Sequence, residues 1–487
     1  MRQTDCDVVV IGSGFGGSVC AMQTAEAHLS VVVLERGARL TAEVREEMAE
    51  GRRPLFYASR GCGLIERARV RGLSAVTASA VGGGSQLYTS VTIPAPAEAF
   101  LRGWPEGLNA ETLSPYYARV AAVIAPTPIP QALPRTTALE AAGLRLGAAV
   151  TRLPLAMDWP TDGTRMSARP EAIPIRRETM TWFQGGALAR KRTLDRTYLA
   201  RAEAAGADLR PLHEVTMISP ESHGFRVRYL RYENGKVHDE SLTASQVVVA
   251  AGTLGTVRLL FHCRDVARTL PALSRVLGEG FLTNGDFGGL LIGTGMDVAR
   301  DSGPPVTAWM DWWEQDRLYL MEAGLLPPLP RFLMRALGLL IPSVSNKDSM
   351  EMAVWSFGTM GLDETPGKLV LDRGGRLTLV RGGREGSVFH ERTMVRLREL
   401  AVALRGKLIV PPKPLAPPGS VTVHPLGGAA MADSPGRGVT DSHGEAFGYP
   451  GLFVADGSLL PTPVGRAPSM TIAALGERVA ERVIESN

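Results

Sequence analysis

The chain has 487 residues, which at roughly 150 residues per domain implies about three units or two large interleaved ones. Hydrophobic residues make up 45% and charged residues 21%, values that exclude wholesale disorder, collagen and a coiled coil. Lys+Arg 53 against Asp+Glu 49 gives a net charge of +4 with no basic block, so no nucleic acid partner is expected.

A continuous apolar run, Val8-Val9-Val10-Ile11, reads as a buried parallel strand. It begins where a signal peptide would need a cationic start and a longer apolar stretch. Gly12, Gly14 and Gly17 follow at GxGxxG spacing and open a small-residue helix through Ala21 and Ala25. A second buried strand, Val31 to Leu34, ends in Glu35. Residues 40–80 are charged and irregular; Val81-Gly82-Gly83-Gly84-Ser85 then forms a loop of minimal bulk. Pro126 to Pro134 reads as an extended connector. Residues 193–258 predict a helix, short strands with a turn at Asn234-Gly235, and a third buried strand, Val247 to Val249, running into Ala250-Ala251-Gly252. Residues 305–380, aromatic and Met-rich with alternating stretches, predict sheet. Within them Ala323 to Ile341 is strongly apolar, broken by Arg331 and Arg335. Its part from Leu325 to Ile341 reads as core and hairpin, as a lid over a lipophilic substrate, or as an edge touching a membrane surface. The tail predicts a strand at Leu452 to Val454, then Ala455-Asp456-Gly457, then a closing helix from near Pro468 with Ile472, Leu475, Val479 and Val483 at helical spacing.

The four cysteines, Cys6, Cys20, Cys62 and Cys263, form no CxxC pair, so no zinc or redox motif is expected. Few cysteines in a long chain suit a reducing compartment, and no span approaches the roughly 20 apolar residues of a membrane helix. A cytoplasmic location is the expectation.

The glycine motif has its full context: strand before, helix after, and Glu35 18 residues beyond Gly17 at the end of the second strand. Gly12 makes the tight turn, Gly14 lets the backbone approach a pyrophosphate, and Gly17 lets helix and strand pack closely. The helix N-terminus offers N–H groups to phosphates. Glu35 can accept hydrogen bonds from ribose hydroxyls and would repel a 2′-phosphate. The βαβ unit does not by itself decide between FAD and NAD. A single unit at the N-terminus, with its other glycine elements hundreds of residues away, fits a prosthetic flavin better than a dissociable nicotinamide.

The motifs together resemble the glucose–methanol–choline (GMC) flavin oxidoreductases, and within them the cholesterol oxidase branch with non-covalent FAD. The matching stretches, in the family's order, are Val10 to Gly17, including Phe15 and Gly16, then Leu34-Glu35-Arg36-Gly37, Val81 to Ser85, Ala251 to Gly255, His424-Pro425-Leu426-Gly427-Gly428, Ala455 to Ser458 and Thr471 to Leu475. The resemblance implies a Rossmann-like FAD-binding domain (1–40, 186–300 and 415–487) interleaved with a substrate domain (41–185 and 301–414, with 81–91 against the flavin). The overall class is α/β, and the substrate domain is built on a mainly antiparallel sheet flanked by helices. Gly82, Gly83, Gly84 and Ser85 would lie against the isoalloxazine, Val215 against adenine, and Asp456 and Gly457 along the ribityl–pyrophosphate portion, with Ala251 and Gly252 also among the cofactor-binding residues. Pro468 and Ser469 open the closing helix, whose N-terminus would face the pyrimidine end of the flavin. Two positions depart from the family pattern: Ala467 and Tyr88 each stand where an Asn is common. The covalent branch has a His after the glycine loop; here the residues are Gln86-Leu87-Tyr88, so non-covalent FAD is expected.

Flavin-dependent alcohol oxidation needs a base near the hydroxyl, a role suited to histidine. Of eight histidines, His424 sits in the HPLGG loop and matches the family's active-site His; the alternative is a structural His bonded to a backbone carbonyl. Glu322 lies in a mostly apolar segment, Leu318 to Ala323. The branch places on a comparable strand a Glu that shifts a double bond after oxidation; the alternative is a rim carboxylate paired with Arg317 or another cation. The expected reaction is oxidation of a secondary, sterol-like alcohol, with hydride passing to flavin N5, O2 reoxidising the flavin to give H2O2, and Glu322-assisted isomerisation. An FAD alcohol dehydrogenase using another acceptor is the alternative.

Overall fold

The computed structural model describes residues 4–57, 61–68, 70–159, 190–292, 303–323, 354–363, 365–381, 388–410 and 421–487. The stretch read as a lid or membrane edge falls, beyond Ala323, outside the described residues. The elements that position the site are, in chain order, β1 (Cys6–Ile11), α1 (Phe15–Glu26), β2 (Val31–Glu35), α2 (Pro134–Leu146), β3 (Ala149–Arg152), β4 (Asp208–Pro211), β5 (His213–Glu221), β6 (Gly224–Glu233), β7 (Lys236–Val249), α3 (Thr253–Phe261), β8 (Phe287–Ile292), β9 (Ala308–Trp312), β10 (Leu318–Ala323), β11 (Val354–Gly361), α4 (Val388–Ala403), β12 (Lys407–Ile409), β13 (Leu452–Val454) and α5 (Ser469–Glu485).

The apolar runs of the sequence become the middle of a seven-stranded sheet in the order β4-β2-β1-β7-β6-β5. β4, β2, β1 and β7 are mutually parallel, and β13 pairs in parallel with the last residues of β7. The long β7 turns antiparallel toward β6, which continues to β5. Val8, Val9, Val10, Val33, Val247, Val248 and Val249 are fully buried, as strands covered on both faces require. α1 and α5 lie side by side on this sheet. Glycines let them touch: a Cβ on Gly476 would stand 3.0 Å from the Gly16 Cα.

The second sheet is six-stranded, in the order β12-β8-β11-β10-β9-β3, and antiparallel at every pairing. One face packs α2 and α4 through Leu139, Ala142, Leu318, Leu320, Leu397 and Leu400. The other face carries Trp309, Trp313 and Tyr319, with Met321 beside them. β8 belongs to this sheet, hydrogen-bonded to β11 on one side and β12 on the other. Among the described residues no helix is long and apolar enough to cross a membrane.

Candidate active site

The parallel strands β1, β7 and β13 all end at one edge of the first sheet, and the motifs converge there, where open α/β sheets hold their ligands. Gly12 turns out of β1 at φ +97, with Ala250 O 2.3 Å from where its Cβ would be. Gly17 packs on the Gly12 carbonyl, and Gly16 on Ala455 O. Gly14 differs: nothing lies within 4 Å of its would-be Cβ, and the same holds for Gly252. The second glycine loop folds onto the first, with Gly83 against the Gly14 Cα and Gly84 near the Phe15 ring. Ser13, which sequence reasoning passed over, ties them together. Its hydroxyl accepts from Gly82 N at 3.1 Å and donates to Glu35 Oε2 at 2.7 Å. Glu35 is buried and also accepts from Ser13 N (3.1 Å) and, through Oε1, from Gly37 N (2.7 Å). Three protein donors leave one lone-pair direction of a carboxylate for a ribose hydroxyl.

Several expected cofactor residues turn their side chains inward. Arg36 pairs with Glu66 and stacks over the Tyr57 ring at 4.7 Å. Ser85 donates to Gly82 O (2.7 Å) and accepts from Leu194 N (3.1 Å). Asp456, its acidity weakened by burial, accepts from Thr256 Oγ1 and from Ser458 N and Oγ. Ala251 N donates to Thr256 Oγ1 at 3.1 Å, and Gly457 packs on Thr253 Oγ1. At these positions it is backbone that can face a ligand. Val215 sits at the irregularity of β5, half-buried on the core. Tyr88 meets Phe15 edge-on at 5.4 Å. Over its ring, at 5.1 Å, stands the buried Lys191 ammonium, whose proton affinity is pushed well down by burial and then by the Arg45 charge. Ser469 Oγ donates to Val91 O at 3.2 Å, opening α5, and Ala467 borders the Trp309–Trp313–Tyr319 face.

The HPLGG loop is bound to this edge on two sides. Thr253 Oγ1 donates to Pro425 O at 2.6 Å, Gly427 N to Gly457 O at 2.9 Å, and Leu282 and Leu426 exchange backbone bonds. The Asn284-Gly285-Asp286 turn, which the sequence reading missed, holds the rest. Asn284 Oδ1 accepts from Val464 N (3.0 Å) and Gly465 N (2.9 Å), and its amide donates to Arg466 O (2.8 Å), bracing the segment that ends at Ala467. Asp286 Oδ2 accepts from Thr422 Oγ1 (2.7 Å), Val423 N (2.8 Å) and His424 N (3.0 Å). Asp286 Oδ1 meets His424 Nδ1 at 2.7 Å. The imidazole is thus held at Nδ1 by a carboxylate, not by a backbone carbonyl, and Nε2 is its other ring nitrogen.

Glu322 is not brought to this histidine. On β10 it shares parity with Leu318 and Leu320, on the face covered by α2 and α4, whereas Tyr319 and Met321 face the Ala467 side. Its carboxylate accepts from Thr307 N (3.0 Å), Thr307 Oγ1 and Ala308 N (3.0 Å), with Arg135 Nε at 3.9 Å. Burial pushes its pKa up to about 7 against the Arg135 charge and these donors. The raised value was expected from sequence; the contacts of the carboxylate are with Thr307, Ala308 and Arg135 rather than with His424.

The residues fit a dinucleotide. Two backbone patches, at Gly14 and Gly252, are clear where their neighbours are crowded. An acid with one acceptor direction to spare stands at the β2 end, and α1 begins at this edge with first-turn N–H groups suited to phosphate. This is the architecture of a nucleotide-cofactor oxidoreductase, and the sequence comparisons specify which. Residues 418–476 match the GMC oxidoreductase family model, and residues 10–61 match that of the NAD(P)-binding Rossmann-like domain. The cholesterol oxidase of Mycobacterium tuberculosis is 27% identical over 544 aligned positions, spanning 98% of this chain and 90% of that protein. The cholesterol oxidase of Acinetobacter baumannii is 26% identical, spanning 97% and 93%. The pyridoxine 4-oxidase from Mesorbium loti has the same fold, with a TM-score of 0.68 at 15% identity over 98% of this chain and 99% of that one. Residues 418–476 thus carry a GMC oxidoreductase domain, and the chain is an alcohol-oxidising, FAD-dependent oxidoreductase.

Proposed function

We propose that the enzyme oxidises a secondary, apolar, sterol-like alcohol to the ketone, using non-covalent FAD, with His424 as the base and O2 as the final acceptor. The observation that carries this reading is the His424–Asp286 pair beside the cofactor edge: Nδ1 is engaged at 2.7 Å and Nε2 is the nitrogen left to take a proton. FAD, when bound, supplies the two-electron acceptor for the carbinol hydrogen. The backbone at Gly14, Gly83 and Gly252 and the Glu35 carboxylate would hold it. His424 accepts the alcohol proton and orients the oxygen. The apolar class is supported by the Trp309–Tyr319–Trp313 stack (centroids 4.0 and 5.0 Å from Tyr319) bordering Ala467, and by the printed names of the two full-length relatives. Isomerisation is left out of the reading, because Glu322 points to the opposite face of β10.

The test is anaerobic. Cholesterol in detergent micelles should bleach the yellow protein, and air should restore the colour with H2O2. His424→Ala should bleach at least a hundredfold more slowly while keeping its flavin. Unchanged bleaching by that variant would remove His424 from the mechanism, and slow recolouring in air would point to another acceptor.

A further inference from the structure

Asp286 presents two oxygens with different obligations. Oδ2 faces two backbone N–H groups, of Val423 and His424, and the Thr422 hydroxyl. A backbone N–H can only donate, so whatever occupies this position must show an acceptor on that side. Oδ1 faces His424 Nδ1 at 2.7 Å, with the Asp286 side chain 10% and the His424 side chain 22% exposed. An ionised carboxylate is acceptor-only, so the shared hydrogen belongs to Nδ1.

We propose that Asp286 is a positioning residue that locks His424 in the Nδ1–H tautomer and so directs the Nε2 lone pair at the alcohol. This rests on the reading of His424 as the base. The alcohol O–H bond breaks, its proton goes to Nε2, and the imidazolium so formed keeps its Nδ1–H on the Asp286 carboxylate, which balances the new charge. The asymmetry of the two oxygens sharpens the consequence. An Asn here would turn its carbonyl oxygen to the two backbone donors and its NH2 to Nδ1. That amide hydrogen requires a lone pair on Nδ1, so the imidazole hydrogen moves to Nε2 and the base is lost with the ring in place. In serine-protease triads the corresponding wrong tautomer lowers kcat by about 10⁴.

The experiment uses the FAD-loaded enzyme labelled with 15N-histidine, with His424 assigned through His424→Gln. Wild type should give the His424 nitrogen shifts of the Nδ1–H tautomer, and Asp286→Asn those of the Nε2–H tautomer. Anaerobic flavin reduction by micellar cholesterol should fall at least a hundredfold in Asp286→Asn, with the apparent substrate affinity within about threefold. A wild-type His424 in the Nε2–H tautomer overturns the proposal without any variant. So does an Asp286→Asn enzyme that keeps the Nδ1–H form, or one that changes tautomer and reduces its flavin at the wild-type rate. If His424→Gln itself reduces at the wild-type rate, the base reading fails instead, whatever the tautomer at 424.

Discussion

Gly14 and Gly83, far apart in sequence, meet so closely that a Cβ on Gly83 would stand 2.8 Å from the Gly14 Cα. Through this contact the first glycine turn and the second glycine loop form one surface, fastened beneath by the Gly82–Ser13–Glu35 hydrogen bonds. Gly14 therefore has backbone on one side and open space where its own side chain would be, an arrangement that serves a ligand more than the fold.

Gly14 and Gly16 should separate cofactor binding from folding. A Cβ on Gly14 meets nothing within 4 Å, whereas one on Gly16 would lie 1.7 Å from Ala455 O. Gly14→Ala should leave the thermal unfolding of flavin-stripped protein within about 1 kcal/mol of wild type, yet weaken FAD binding at least tenfold by flavin-fluorescence titration. Gly16→Ala should destabilise the stripped protein by about 1–3 kcal/mol or more, since backbone must shift. Wild-type FAD affinity in Gly14→Ala would show that the pyrophosphate does not pass over this residue.

Glu322→Gln should damage stability rather than chemistry. Both carboxylate oxygens receive backbone N–H groups, Thr307 on one and Ala308 on the other. An amide must therefore point its NH2 at a donor, and Arg135 loses its opposing charge in a buried setting. The cost should be about 3 kcal/mol by denaturant titration, with flavin reduction within about threefold of wild type. A hundredfold slower reduction in a fully stable variant would return Glu322 to the reacting centre.

How far the sequence was legible follows from the range of each interaction. β1, the glycine turn, α1 and β2 write their structure locally, in an apolar run, a spacing and a terminal acid, and the second glycine loop is equally plain. The side of β10 to which Glu322 belongs is not written locally: Leu318 and Leu320 on one face are as apolar as Tyr319 and Met321 on the other, because both faces are covered, so alternation carries no sign. Asp286 lies 138 positions from His424 in a turn whose polar residues suit solvent as well, and the antiparallel pairing of Leu282 with Leu426 helps to bring the two together. The motif found the histidine; the tertiary fold supplied what holds it.

Glu477 should make the protein lose stability as pH rises through neutrality. It is buried in α5, accepts from Gln23 Nε2 at 2.6 Å, and has its pKa pushed up to about 7 chiefly by burial. The unfolded chain releases this proton near the ordinary value of 4.5, so between about 4.5 and 7 the folded state holds more protons than the unfolded one. The stabilisation is complete below the lower value and is lost as pH climbs through the upper, about 2–3 kcal/mol at most. Glu477→Gln keeps an acceptor for Gln23 and cannot ionise. Its stability relative to wild type should therefore rise by that amount between pH 5 and pH 8, measured by urea unfolding at each pH. A parallel offset at both pH values would mean that Glu477 is ionised in the folded protein throughout this range.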